Sequence, residues 1–95
     1  MVVSMLQFII EMPGVDSIKE KRRVVKSLKD KLQYRYKLSV SEVDLHDSLT
    51  FSQIGAVIVS NSKNFGESVL QKAVHFVDND GGGRLHDVSI YTEFY

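Results

Sequence analysis

The spacing of the apolar residues changes along this chain in an order that few folds can accommodate. Leu6, Phe8, Ile10 and Met12 recur at every second position, alternating with Met5, Gln7, Ile9 and Glu11, which is the pattern of a strand with two unlike faces. Met12-Pro13-Gly14 ends it, because proline cannot continue a hydrogen-bonded ladder and glycine admits a turn. From Ser17 the spacing becomes helical, with Ile18, Val24, Val25, Leu28 and Leu32 on one stripe. Ser17 and Glu20 stand at the spacing of a capping box, and the helix is predicted to run to about Tyr34 or Arg35. Leu38–Leu45 reads as a strand, with Leu38, Val40 and Glu42 on one face and Val43 on the other. The polar run His46–Thr50 connects it to Gln53–Ser60, which is aliphatic on both faces and therefore reads as a central strand buried on two sides. Asn64 and Glu67 suggest a second capping box, followed by an amphipathic helix carrying Val69, Leu70, Ala73, Val74 and Val77. Asp78–Gly83 reads as a loop whose three glycines make a flexible connector, and Leu85, Val88 and Ile90 mark a last strand within Leu85–Tyr95.

The order is β-α-β-β-α-β. Two right-handed crossovers around a hairpin give an α+β, ferredoxin-like two-layer sandwich, a four-stranded antiparallel sheet with both helices on one face. Ninety-five residues, 43% of them hydrophobic, suffice for one core, so residues 1–95 are expected to form a single domain. The absence of cysteine excludes disulfides, thiolate metal sites and a cysteine nucleophile, and it fits a reducing, cytoplasmic location. The apolar N-terminus has no basic residue before it and ends at Glu11 and Pro13, too soon for a membrane span and without the form of a signal peptide.

A net charge of zero hides a strong dipole. Residues 17–37 hold nine basic side chains (Lys19, Lys21, Arg22, Arg23, Lys26, Lys29, Lys31, Arg35 and Lys37) against Glu20 and Asp30, and the rest of the chain is acidic by the same margin. At about 100° per residue, Lys19, Arg23 and Lys26 fall opposite the apolar stripe, Arg22 and Lys29 flank it, and Lys21 points toward it and must snorkel past the core. Cations in the first turns oppose the helix macrodipole, with Asp16 and Glu20 offsetting part of the cost. The plain reading is a solvated face that keeps the protein in solution. The functional reading is phosphate contact, because the cations add mobile charge to backbone N–H groups already aimed at an anion. Lys19, Lys21, Arg22, Arg23 and Lys26 are the candidate nucleic-acid-binding residues on that reading. Base stacking of the RNA-recognition-motif kind is not expected, since Gln53–Val59 carries no aromatic residue.

Met12-Pro13-Gly14, the run Ser17-Ile18-Lys19-Glu20-Lys21-Arg22-Arg23-Val24-Val25, Val40-Ser41-Glu42-Val43 and Gly55–Asn61 together resemble the YlxP-like family of small bacterial proteins. The resemblance spans nearly the whole chain. It implies a ferredoxin-like domain without an established biochemical function and supplies no catalytic residues. Genes of such proteins commonly lie among those for translation and ribosome maturation, which implies RNA or a ribosomal particle as partner. The expectation is a non-enzymatic RNA- or ribosome-associated binding protein acting through its basic first helix. The alternative is a dimeric small-ligand-binding or protein-interaction module.

A second surface favours self-association. Met5 and Ile9 should share the sheet face away from the helices with Ile54 and Ile58, joined by Tyr91 or, in the other register, Ile90, and a patch of this kind marks the interface of a homodimer or higher oligomer, packed sheet to sheet or through edge strands. Catalytic constellations are absent. His46-Asp47 and His86-Asp87 lack a coherent metal-ligand spacing, no Gly-x-Ser-x-Gly elbow occurs, and the triple glycine lacks the Lys-Ser/Thr of a phosphate loop. Glu42, Asp44 or Asp47 would act as acid or base only with a partner that the sequence does not identify. No metal, cofactor or membrane partner is expected.

Overall fold

Each change of period becomes a change of element in the computed structural model, which describes residues 1–95. The elements are β1 (Val2–Glu11), α1 (Ile18–Tyr36), β2 (Ser39–Asp44), β3 (Phe51–Ser60), α2 (Lys63–Asp80) and β4 (Arg84–Phe94). The four strands form one antiparallel sheet in the order β2-β3-β1-β4, as the ferredoxin-like plan requires. Leu6, Phe8 and Ile10 of β1 turn to the helix layer and meet Val25, Leu28 and Leu32 of α1 and Leu70, Ala73, Phe76 and Val77 of α2 in one core. Burying a side chain of this size contributes roughly 1.5–3 kcal/mol, so the alternation of β1 is worth more to the fold than any single polar contact. No helix is long and apolar enough to cross a membrane.

The register of β3 departs from the expectation. Ile54 is fully buried and Ile58 packs against the core, so both face the helices rather than open space. Met5 pairs with Val57 and Ile9 with Gln53, which puts Phe51, Gln53, Gly55, Val57 and Val59 on the open face. A strand aliphatic at every position from Ile54 to Val59, glycine aside, shows no alternation from which to read its phase. Pairing with β1 sets the phase, and a shift of one residue exchanges the two faces.

β4 resolves a second ambiguity. Leu85 pairs with Ile10 and Ile90 with Leu6, both on the core side although they are five residues apart. A bulge opposite Phe8 absorbs the odd residue, with Asp87 at φ 53° and Val88 turned outward. Tyr91 therefore lies on the open face beside Met5.

The helix ends also differ from the expectation. The N-cap of α2 is Ser62, whose hydroxyl accepts from the Phe65 N–H at 3.2 Å, and not Asn64. Asp78, Asn79 and Asp80 form the last turn of α2 instead of a loop, with the Asn79 side chain donating to the His75 carbonyl at 2.7 Å and the Gly81 N–H to Val77 at 2.9 Å. Gly83 is more than a flexible spacer: a Cβ there would overlap the carbonyl oxygen of Glu11, so the start of β4 needs a residue without one.

Candidate nucleic-acid interface

α1 begins where its sequence says it should. Ser17 is extended and accepts from the Glu20 N–H at 3.1 Å, one half of the predicted capping box. The helix continues to Tyr36 and stops at Lys37, which takes the left-handed conformation at φ 58° and donates its N–H to Gln33 at 3.1 Å. Val25, Leu28 and Leu32 face the core, so the angular position of every other residue on α1 is fixed by that stripe.

Lys19, Arg22, Arg23 and Lys26 are exposed. Lys26 pairs with Asp30 at 2.8 Å one turn on, and that hydrogen bond, helped by the carboxylate charge, raises its pKa. Lys19, Arg22, Arg23, Lys29 and Lys31 have no carboxylate within ion-pair distance. Arg22, Lys26 and Lys29 line a groove of about 210 Å³ with Glu42 and His46 on its far wall. Arg23 and Lys31 line a second groove of about 280 Å³ on the other flank of α1, against Asp80, Gly81 and Gly82 at the end of α2.

Lys21 leaves the candidate set. It is only 2% exposed, and its ammonium donates to the carbonyls of Leu45, at 2.6 Å, and Ser48, with His46 at 3.4 Å and the Glu42 carboxylate at 3.3 Å. The physical reason is its angle: on the wheel it falls within the apolar stripe, and the chain after β2 folds over it instead of letting it snorkel. Glu42, in turn, accepts from the buried Ser52 hydroxyl at 2.6 Å and lies 3.8 Å from the His46 ring. This resolves the partner of Glu42, which is structural: three buried or half-buried polar groups satisfy one another at the edge of the core. Its sequence signal was the inward parity of Glu42 and Ser52 on neighbouring strands together with a lysine on an apolar stripe.

The two His-Asp dipeptides are not brought together. His46 sits beside β2 at one edge of the sheet, and His86 bonds Glu11 at 2.8 Å near the other, with the Phe51 ring edge-on to it at 6.3 Å. No three His, Asp or Glu side chains are grouped to hold a metal ion.

A fold and a basic helix of this kind can be compared with known proteins. Residues 3–90 match the model of a family described as a protein of unknown function, DUF503. The chain belongs to the DUF503 family. One relative is an uncharacterized protein, YlxP, of Bacillus subtilis, which is 33% identical over 63 residues, covering 66% of this chain and 68% of that protein. Among solved structures, a de novo designed protein with a ferredoxin fold superposes with a TM-score of 0.52 at 12% identity, covering 98% of this chain and 83% of the design. That likeness bears on the fold alone. The DUF503 match covers all of α1, β2, β3 and α2, and most of β1 and β4, ending one residue before Tyr91.

Proposed function

We propose that this DUF503 domain is a non-enzymatic binding protein whose α1 contacts the phosphates of RNA, free or within a ribosomal particle. The observation that carries the reading is the set of six cations on α1 without a carboxylate partner, Lys19, Arg22, Arg23, Lys29, Lys31 and Arg35 (the last lying over the Phe76 ring), in a chain that has as many acids as bases. Acids available elsewhere have not been recruited to neutralise them, and Lys19, Arg22 and Arg23 stand in the first turns, where the macrodipole disfavours positive charge. Such an arrangement costs stability and is offset when an anion docks. Binding of this kind is sequence-tolerant and sensitive to salt, because each phosphate contact releases counterions.

Titration of ribosomal RNA fragments at a series of salt concentrations tests the reading. Replacing Lys19, Arg22 and Arg23 together by Glu should lower affinity at least about tenfold and flatten the dependence of log K on log salt by about 2, at about 0.7–0.9 for each phosphate that is no longer neutralised. Wild-type protein that does not bind RNA at low salt, or a triple variant with an unchanged slope, would sink the proposal. The alternative of an interaction module draws on a different observation, the uncharged centre of the open sheet face.

A further inference from the structure

The open face of the sheet is uncharged across its middle in a protein whose residues are 25% charged. Met5, Gln7 and Ile9 of β1, Gln53, Gly55, Val57 and Val59 of β3, and Ser89 and Tyr91 of β4 share it. Val59 is 60% exposed, Val43 49% and Tyr91 46%, while a shallow depression of about 220 Å³ runs between Met5, Ser41, Gly55 and Tyr91. Loss of charge from the centre with an aromatic and a methionine present is the compositional mark of a protein interface. The charged residues that strand pairing places on this face, Glu11, Asp44, Arg84 and Glu93, all stand at strand ends.

We propose that the occupant is a second copy of this chain, packed sheet to sheet about a two-fold axis that lies between the sheets and perpendicular to the strands. Two observations argue for a copy of itself. The first is charge. Arg84 pairs with Glu11 and Glu93 with Val3, so β4 carries opposite charges at its two ends on the same face. A two-fold axis through the middle of the face lays β4 over its own mate in the opposite direction. Arg84 of each copy then meets Glu93 of the other, and the match is made twice by one symmetry element. The second is area. Two ten-residue strands, an eleven-residue β4 and a six-residue β2 give a flat footprint of about 550 Å² per copy at the usual rise and strand spacing, or about 1,100 Å² in total, above the roughly 1,000 Å² that a specific interface should clear. Sheets stack in this way about 10 Å apart in sandwich folds. Both helix layers would then point outward, leaving α1 of each copy free. This inference stands apart from the RNA reading, since none of its residues lies on α1.

Sedimentation equilibrium from micromolar to near-millimolar protein tests it, with circular dichroism melts to show that each variant folds. Wild type is expected to be a dimer. Val57→Lys or, independently, Tyr91→Lys should raise the dimer dissociation constant at least about a hundredfold by placing two like charges in a dry centre. Arg84→Glu and Glu93→Arg alone should each weaken it about three- to tenfold, and the two together should return it to near the wild-type value. A monomer at every concentration, or a dimer indifferent to both lysine variants, overturns the proposal. Failure of the charge exchange to restore association overturns the two-fold arrangement.

Discussion

Within the first turn and a half of α1, neighbouring lysines have opposite fates. Lys19 lies in solvent without an ion-pair partner, whereas Lys21 is 2% exposed and holds carbonyls of Leu45 and Ser48 together with Glu42. An ammonium has three donors and no acceptor, and the segment after β2 presents acceptors to match, with Leu45 itself at φ 65°. Removing that ammonium leaves several half-buried acceptors and a carboxylate at 18% exposure without their cation. The cost of breaking a buried pair is about 3–5 kcal/mol, reduced here because Glu42 retains some contact with water. Lys21→Met is therefore expected to lower unfolding free energy by about 2–4 kcal/mol in urea titration, with loss of order in residues 45–50 visible as faster amide exchange. A change below about 0.5 kcal/mol would show that the carbonyl cluster does not need the cation. The sequence showed that Lys21 pointed at the core, but its burial depends on a loop whose path is a tertiary property.

At the scale of elements, periodicity identified all six and their order because β1 and both helices each bury one face only. It failed where both faces are apolar, at β3, and where an irregularity breaks parity, at the bulge between Asp87 and Val88. Caps follow the same logic. Ser17 was legible because one hydroxyl residue precedes α1, whereas at α2 both Ser62 and Asn64 have capping side chains, and it is the Ser62 hydroxyl that accepts from Phe65 while Asn64 falls inside the helix. α1 itself carries a conflict between stability and charge. Its first turn has one acid, Glu20, and a cation at Lys19 that the dipole disfavours. Lys19→Glu should raise stability by up to about 1 kcal/mol at low ionic strength and weaken RNA binding at the same time. Thermal melts and RNA titrations on the same sample check both signs. A variant that loses stability would mean that Lys19 has an intramolecular role which its exposure does not suggest.

For the whole molecule, the sheet separates two surfaces with different chemistry. The cations of α1 belong to the helix layer, and Met5, Val57 and Tyr91 belong to the opposite face, with the core of Phe8, Ile54 and Leu70 between them. Perturbations on surfaces that share no partner should add. Charge reversal at Lys19, Arg22 and Arg23 should thus weaken RNA binding and leave the association constant of the protein near its wild-type value. Val57→Lys should dissociate the dimer and leave the affinity of each α1 for a short RNA unchanged, while binding to a long RNA that two outward-facing helices can reach together should weaken by the loss of avidity. Measuring short- and long-RNA affinity alongside oligomeric state in the wild type, the two variants and their combination separates these effects. If charge reversal on α1 also dissociates the protein, α1 is itself part of the self-association surface and the open sheet face is not the interface. Should Val57→Lys weaken short-RNA binding, the phosphates reach the sheet, and the helix is only one part of a larger contact.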